Sequence, residues 1–252
     1  MADTPRKALI LAAGIGQRLG EAGGGGPKCL LEVGGRSLLA RQLEQLAACG
    51  IEQVVLATGH QAGLIEQALD QIDTTLDITL VHNPAYTEGS VVSLWTLREH
   101  LASGEALLLM DADVLAHTEI LRRLTSTVLP NCFLLDRDFE PGEEPVKLCL
   151  RGGRLVEFRK QPVPDLSWEL AGESVGFFRF EPRMAARLAQ RTEQYVAGGR
   201  RGEPYEEAIR DLLLAAPDEF GFEDITGLPW IEIDFPGDLA RARESILPRI
   251  EE

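Results

Sequence analysis

The run Ala-Leu-Ile-Leu-Ala-Ala-Gly-Ile-Gly-Gln-Arg-Leu-Gly, residues 8–20, decides much of the fold of this 252-residue chain. Its first part, Ala8–Ala13, is a short apolar run that predicts a buried β-strand. The glycines that follow predict a tight loop, because glycine lets the backbone pass close to a ligand and turn its N–H groups toward it. A buried strand ending in such a loop is typical of α/β proteins, which bind ligands at the carboxyl edge of a parallel sheet.

Alternating strand and helix patterns continue outward from this stretch through the first half of the chain. Apolar runs predict strands over Gln53–Ala57, Leu76–Val81 and Ala106–Met110, and helical spacing predicts helices over Arg36–Cys49, Gln61–Gln71, Val91–Leu101 and Thr118–Val128. The alternation predicts an α/β fold with a Rossmann-like, mixed but mostly parallel central sheet flanked by helices.

From Asn131 the predicted strands are shorter and are separated by turn-rich pieces. We expect strands over Asn131–Leu135, Val146–Leu150, Arg154–Phe158, Ser174–Phe180 and Trp230–Asp234, and helices over Pro182–Tyr195, Glu203–Ala215 and Pro236–Ile246. This pattern predicts a small antiparallel, substrate-facing extension. Since no linker is long enough to force two independent domains, we expect one domain over residues 1–252, in which the pattern changes at about residue 130.

Composition narrows the classes of partner. The formal net charge of −15 disfavours nucleic acid and anionic membranes, because both carry negative charge. The four cysteines, Cys29, Cys49, Cys132 and Cys149, form no CxxC pair and predict reduced thiols rather than a disulfide framework or a zinc site. Met1–Lys7 lacks the apolar core of a signal peptide, and we expect a cytoplasmic protein without a membrane span. The sequence leaves open whether identical chains assemble.

Two basic residues accompany the glycine loop. Arg18 lies within it, and Lys28 follows Pro27 after a second run of glycines. These groups supply the positive charge that a polyphosphate and its transition state require. Glycines alone are equally typical of a plain strand-to-helix turn. The spacing does not fit a dinucleotide-binding fingerprint, because the third glycine comes one position late, and it lacks the Gly-Lys-Ser/Thr ending of a Walker loop.

An acidic pair, Asp111 and Asp113, follows the apolar run Ala106–Met110. Two carboxylates at a strand end repel each other unless a cation holds them. Mg²⁺ fits this position, since it prefers carboxylate oxygens and substrate phosphates. The same residues would also fit a turn in which an aspartate caps the next helix.

Together these motifs closely resemble the signature of the nucleotidyltransferases that activate sugars and phospho-alcohols, Leu-Ala-Ala-Gly-x-Gly-x-Arg-Leu followed by Pro-Lys. The resemblance is greatest to the phosphocholine, inositol-1-phosphate and 2-aminoethylphosphonate cytidylyltransferases. Ser93-Leu94-Trp95, Glu173–Gly176 and Trp230–Asp234 extend it over nearly the whole chain. Glu88-Gly89-Ser90 departs from the asparagine pair common in choline-type members, which leaves the base contacts and choline specificity open. The resemblance implies a GT-A-like nucleotidyltransferase fold, with a nucleotide-binding half to about residue 130 and an acceptor-binding half from about residue 131.

The same resemblance implies a role for each matching residue. Arg18 and Lys28 would contact the triphosphate and Lys160 the acceptor phosphate, as the catalytic residues. Asp113 and Asp234 would bind Mg²⁺. The implied nucleotide-binding residues are Leu11, Ala12, Ala13, Gly14, Gly16, Ser90 and Asp111, and the implied acceptor-binding residues are Glu173, Tyr205, Glu206 and Trp230.

The implied reaction joins CMP from CTP to a small phosphorylated alcohol and releases pyrophosphate. A phosphate acceptor is already an anionic nucleophile, so positioning and charge neutralisation matter more than a general base. A sugar-1-phosphate uridylyl- or guanylyltransferase is the second candidate, and a non-catalytic nucleotide-sensing domain is the third. A quaternary ammonium alcohol and a polyol both fit the aromatic and acidic residues of the second half, so the acceptor is left open.

Overall fold

The computed structural model describes residues 3–140 and 142–251, without the side chains of Glu21 and Ala22. The strands in these ranges are β1 (Lys7–Ala12), β2 (Glu32–Val33), β3 (Arg36–Ser37), β4 (Gln53–Thr58), β5 (Asp77–His82), β6 (Leu107–Asp111), β7 (Val114–Ala116), β8 (Cys132–Asp136), β9 (Lys147–Arg151), β10 (Arg154–Arg159), β11 (Leu170–Phe180), β12 (Gly221–Asp224) and β13 (Trp230–Glu232). The α-helices are α1 (Leu38–Ala48), α2 (Ala62–Leu69), α3 (Ser90–Thr96), α4 (Arg98–Leu101), α5 (Thr118–Ser126), α6 (Pro182–Ala197), α7 (Tyr205–Ala215), α8 (Pro236–Arg241) and α9 (Leu247–Ile250). Short 3₁₀ segments cover Gln17–Gly23, Lys28–Leu30 and Pro217–Glu219.

The central sheet of the described chain has nine strands and mixed direction. Its main order is β10-β9-β11-β6-β1-β4-β5, with β8 pairing β11 and β12 pairing β8. β6, β1, β4 and β5 run parallel, whereas β11 is antiparallel to β6, β8 and β9. The predicted α/β fold, with a mostly parallel sheet and an antiparallel extension, is therefore confirmed.

Helices cover both faces of the parallel strands. Leu9 of β1 packs in a cluster with residues of α3, α4, α6 and α7, while Ile10 packs in a second cluster with residues of α1, α2 and α5. Successive strand residues point to opposite faces, so both faces need apolar side chains. This two-sided burial is the reason that β1 and β6 read as unbroken apolar runs.

The structure differs from the sequence prediction at several short segments. β12, which pairs parallel with β8, was not predicted, because Gly-Phe-Glu-Asp lacks an apolar pattern. The predicted helix over residues 91–101 divides at Leu97, whose ψ of 9° lies outside the helical range. The predicted final helix keeps its start at Pro236 but changes to a π-helical turn over Ala242–Ile246.

The last strand pairs in a way that matters for the site. β13 ends at Glu232 rather than at Asp234 and pairs antiparallel with β7, which was also not predicted. The Ile233 N–H then donates to the Asp113 carbonyl oxygen at 3.0 Å. This pairing brings two acidic segments together that lie more than a hundred residues apart in the sequence.

The strands that carry the candidate site are neighbours. β1 lies beside β6 with Leu11 opposite Asp111, so the glycine loop and the acidic pair emerge at the same edge. β6 pairs with β11, and the sheet thus takes strands from both predicted halves; the single domain and its division near residue 130 stay predictions. Among the described helices, none has the length and apolar character needed to cross a bilayer.

Candidate active site

A cavity of about 500 Å³ opens at the carboxyl ends of β1 and β6 and is called the first cavity here. Most of the predicted site residues line it: Leu11, Ala12, Ala13, Gly14, Gly16, Arg18, Lys28, Ser90, Asp111, Asp113, Tyr205, Glu206 and Asp234. The fold therefore gathers residues from the glycine loop, the end of β6, the start of α7 and the segment after β13 around one space.

A second cavity, of about 580 Å³, adjoins the first and shares Glu232 and Asp234 with it. Glu173 and Trp230 line this second cavity, whereas Tyr205 and Glu206 line the first. The predicted acceptor-binding residues are thus divided between two adjoining spaces, which the sequence did not indicate.

Three carboxylates converge where the cavities meet. Asp113, Glu232 and Asp234 each offer an oxygen atom, and these atoms lie within 4.8 Å of one another. The Lys28 ammonium donates to Asp113 Oδ2 at 2.8 Å and also to Asp234 Oδ1. The Lys28 ammonium therefore lies between two of the three carboxylates.

These contacts shift the pKa values of the lysine and of the carboxyl groups. Burial lowers the pKa of Lys28, but the neighbouring Asp113 and Asp234 carboxylates outweigh this effect. The pKa of Lys28 is therefore above its usual value. Burial would raise the pKa of Asp234, yet Lys28 and Arg18 hold it below its usual range. Glu232 has less compensation: burial, Asp113 and Asp234 raise its pKa to about 8.

The donor set fits a hard divalent cation. Mg²⁺ takes oxygen ligands, commonly carboxylates together with substrate phosphates. Asp113 and Asp234 are the predicted ligands, and Glu232 is a third candidate that the sequence reasoning missed. Its signal was available, because Glu232 precedes Asp234 by two residues, the spacing that places side chains on one face of a strand.

Asp111 is held apart from this carboxylate group. The Tyr205 hydroxyl donates to Asp111 Oδ2 at 2.6 Å. Gly176, with φ of 78°, lies close to the same oxygen, and any Cβ there would collide with the Asp111 carboxylate. Burial, and then the charges of Asp113, Glu206 and Glu232, raise the pKa of Asp111 well above its usual value. Asp111 therefore lines the first cavity as a carboxyl group anchored by Tyr205.

Two of the three basic residues predicted to contact phosphates meet at one carboxylate, Glu144. Arg18 Nη1 donates to Glu144 Oε2 at 2.9 Å and to Asp234 Oδ2 at 3.2 Å. Lys160, which lines neither cavity among the described residues, donates to the same Glu144 oxygen at 3.1 Å. Glu144 was not predicted, and one of its oxygen atoms accepts hydrogen bonds from both cations.

Glu173 and Trp230 lie beside a second carboxylate, that of Asp136. Trp230 Nε1 donates to Asp136 Oδ2 at 2.7 Å, and Asp136 lies opposite Glu173 across β8 and β11. Burial raises the pKa of Glu173 to about 7, and Asp136 adds to the shift while Lys147 opposes it. This part of the site is short of positive charge.

Comparisons with known proteins identify the family of the chain. Residues 8–161 match the MobA-like NTP transferase domain. The chain is 30% identical over 246 residues to the CMP-5'-(3-aminopropyl)phosphonate synthase of Streptomyces rubellomurinus. The match covers 94% of this chain and 38% of the relative. It is also 30% identical over 246 residues to the bifunctional IPC transferase and DIPP synthase of Rubrobacter xylanophilus, covering 95% of this chain and 52% of the relative. The chain thus spans about half, or less, of these relatives' length.

The fold has solved counterparts. The inositol-1-phosphate CTP transferase from T. maritima superposes with a TM-score of 0.73 at 19% sequence identity, covering 98% of this chain and 99% of that one. This likeness confirms the predicted nucleotidyltransferase fold, and the relatives confirm the resemblance to the cytidylyltransferase group. The chain belongs to the MobA-like NTP transferase family, whose members are nucleotidyltransferase enzymes.

Proposed function

We propose that the protein is a Mg²⁺-dependent cytidylyltransferase that joins CMP from CTP to a small molecule carrying a phosphate or phosphonate group. The observation that carries this proposal is the convergence of Lys28 with Asp113, Glu232 and Asp234 at the rim of the glycine loop. The relatives named as a CMP-phosphonate synthase and a CTP transferase support CTP as the nucleotide.

The glycine loop would receive the triphosphate. At Gly16, with φ of 69°, a Cβ would lie 2.9 Å from the Lys28 side chain, so a larger residue would displace the lysine. Arg18 and Lys28 would donate to the phosphate oxygens, since charge-assisted donors are the strong partners of polyphosphates. Both cations are already directed to this place by carboxylates that a phosphate would replace.

Asp113, Glu232 and Asp234 would hold the metal ion. Bound there, Mg²⁺ would neutralise charge on the triphosphate and on the leaving pyrophosphate. Lys28, released from at least one carboxylate, would turn its ammonium toward the same phosphates. The Lys28 ammonium between Asp113 and Asp234 marks a position where these carboxylates stabilise positive charge.

The reaction needs no proton acceptor. An oxygen of the acceptor's phosphate or phosphonate attacks the α-phosphorus, a new P–O bond forms, and the bond to the β-phosphate oxygen breaks with its electron pair leaving on pyrophosphate. Lys160 would orient the attacking group, because its ammonium lies beside Arg18 through their shared Glu144 oxygen. Orientation of the two anions is then the main contribution of the protein.

A screen of pyrophosphate release tests the proposal. The full chain with Mg²⁺ is assayed with each of the four common nucleoside triphosphates against phosphoethanolamine, 2-aminoethylphosphonate, phosphocholine, inositol-1-phosphate, glycerol phosphate and hexose-1-phosphates. We expect release with CTP and one of the alcohol phosphates or phosphonates. Preference for UTP or GTP with a hexose-1-phosphate would favour the sugar-nucleotide alternative, and no release in any combination would favour a non-catalytic nucleotide-sensing domain.

A further inference from the structure

The acidic turn between β6 and β7 is supported by a side chain of α1. We infer that Gln42 is a positioning residue of the active site, and that its side-chain amide sets the place from which Asp113 reaches the metal ion. The inference rests on the proposed function, which assigns Asp113 to Mg²⁺. It depends on two hydrogen bonds and on a comparison with a second glutamine of the same helix.

The Gln42 amide joins the two ends of the turn. Its Nε2 atom donates to the Asp111 carbonyl oxygen at 3.0 Å and to the Val114 carbonyl oxygen at 3.1 Å. Asp111 is the last residue of β6 and Val114 the first of β7, so only Ala112 and Asp113 lie between the two bonds. A single planar amide thus fixes the distance that the turn must span.

Gln42 binds β7 at the edge opposite β13. In the part of the chain that the structure describes, β7 pairs with β13 alone, and the Ile233 N–H donates to the Asp113 carbonyl oxygen at 3.0 Å. Successive carbonyl groups of a strand point to opposite edges, so the Val114 carbonyl points away from β13. Gln42 therefore supplies the donor that a neighbouring strand would supply, and the turn with Asp113 is held between α1 and β13.

The orientation of the amide follows from its partners. Both facing atoms are carbonyl oxygens, which only accept hydrogen bonds, so the amide nitrogen must face them. The amide oxygen, Oε1, is buried and lacks a hydrogen-bond partner among the described residues. An unpaired buried oxygen is unfavourable. The Gln42 side chain is thus arranged for its two bonds to the turn and not for the best pairing of its own atoms.

The place of Asp113 matters because the metal tolerates little displacement of its ligands. Mg²⁺ demands near-ideal octahedral geometry, and groups that orient its ligands influence its affinity. The oxygen atoms of Asp113, Glu232 and Asp234 meet within 4.8 Å although they come from two separate segments. Gln42 fixes one of these segments, and it acts through the backbone of the turn, since in the described structure it lines neither cavity.

Gln45 offers a matched comparison. It lies three residues further along α1, and its Nε2 atom donates to the Ala116 carbonyl oxygen at 2.7 Å. Ala116 is the last residue of β7, so this bond ties α1 to the same strand at the end away from the turn. The two glutamines make the same kind of bond and differ in the part of β7 that they hold.

Binding of Mn²⁺ alone tests the inference, because Mn²⁺ accepts the same oxygen ligands as Mg²⁺ and its free ion is counted by electron paramagnetic resonance. The full chain is titrated without nucleotide. Gln42→Met keeps the length of the side chain but has no N–H donor, and we expect it to raise the Kd for Mn²⁺ about tenfold or more. For Gln45→Met we expect a Kd within about twofold of the wild type.

Thermal unfolding without metal controls for a purely structural effect. Each variant leaves a backbone carbonyl of β7 without its donor, so we expect a lower Tm for both. A loss of stability that the two variants share cannot account for a rise in the Kd that only Gln42→Met shows.

Gln42→Glu separates the hydrogen bonds from the volume of the side chain. Glutamic acid has nearly the size of glutamine, and its protonated form keeps one donor. Burial beside two carbonyl oxygens favours that form. We expect a Kd for Mn²⁺ above that of the wild type and below that of Gln42→Met, and this variant gives the answer if Gln42→Met does not fold.

The outcomes separate the inference from the proposed function. A Kd for Mn²⁺ that keeps the wild-type value in the Gln42 variants, or that rises as much in Gln45→Met, would overturn the positioning role of Gln42 and leave the metal site and the cytidylyltransferase proposal standing. Failure of the wild type to bind Mn²⁺ would contradict the metal site, and the inference with it.

Discussion

The proposed nucleotide side and the proposed acceptor side of the site differ in how their charges are balanced. On the nucleotide side, Lys28 lies between Asp113 and Asp234, and Arg18 also contacts Asp234. On the acceptor side, Glu206 has a buried oxygen without a hydrogen-bond partner among the described residues, and the pKa of Glu173 is raised to about 7 by burial and by Asp136.

The two sides therefore differ in whether their charged groups are already paired before substrate binds. The nucleotide side holds cations and carboxylates in mutual contact, so a metal ion and a triphosphate would exchange with interactions that already exist. The acceptor side has carboxylates in excess and gains most from a ligand that brings positive charge.

The largest expected effect comes from removing a metal ligand. We predict that Asp113→Asn lowers the rate of pyrophosphate release by about a thousandfold or more, since an uncharged amide weakens both the metal site and the hold on Lys28. Activity is compared with that of Asp70→Asn, a change at an exposed aspartate at the end of α2. Full activity of Asp113→Asn, with the fold intact by circular dichroism, would refute the metal assignment.

Removing the Lys28 ammonium should show whether it competes with Mg²⁺ for the carboxylates. Lys28→Met leaves Asp113 and Asp234 without their ammonium partner, and we predict that kcat falls about a hundredfold. Mg²⁺ should raise the Tm of this variant more than that of the wild type, because the ion no longer competes with Lys28. An equal Mg²⁺-induced shift in both proteins, measured by differential scanning fluorimetry, would show that Lys28 and the ion do not share a site.

A change at Lys160 should affect one substrate only. We predict that Lys160→Ala raises the KM for the acceptor about tenfold or lowers kcat, with little change in the Kd for CTP measured by calorimetry. The reason is that Lys160 does not line the first cavity, and its ammonium contacts Glu144, which lines the second. Equal losses for CTP and acceptor would assign Lys160 to the nucleotide side.

The smallest effect concerns stability and pH. The pKa of Glu173 rises from 4.5 to about 7 on folding, so the folded state holds its proton more tightly. This contribution to the free energy of unfolding, at most about 3 kcal/mol, is fully present below about pH 4.5 and is lost as pH rises through 7.

Glu173→Gln should therefore reduce the decline in stability between about pH 5 and pH 8 and stabilise the protein at the upper end. Urea unfolding at several pH values measures both effects. Glu66→Gln, at an exposed position of α2, serves as the control. A wild-type slope that persists unchanged in Glu173→Gln would mean that other buried carboxylates cause it.

The sequence predicted which residues of the glycine loop and the acidic pair meet at the first cavity, because these signals are local. An unbroken apolar run, a glycine loop and an acidic pair each lie within a few residues, and their meeting follows from the parallel pairing of β1 with β6. The antiparallel pairing of β7 with β13 was not predicted, since three-residue strands carry little pattern. It nevertheless determines that Asp234 lies beside Asp113.

The acceptor side depends on contacts that local pattern does not encode. Glu144 follows two other glutamates of an acidic loop, and nothing in their spacing distinguishes the one that meets Arg18 and Lys160. The predicted acceptor residues also divide between two cavities, because α7 places Tyr205 and Glu206 on one side while β11 and β13 place the others elsewhere. Only tertiary packing decides such placements.

The central claim is tested most directly by identifying the reaction product. The full chain is incubated with CTP and, in separate reactions, each acceptor of the pyrophosphate-release screen, with Mg²⁺ or with EDTA, and the products are analysed by mass spectrometry. We predict a compound with the mass of CMP joined to one of these acceptors, together with pyrophosphate, formed only when Mg²⁺ is present. Unchanged CTP, or its hydrolysis without a joined product, in every reaction would contradict the account.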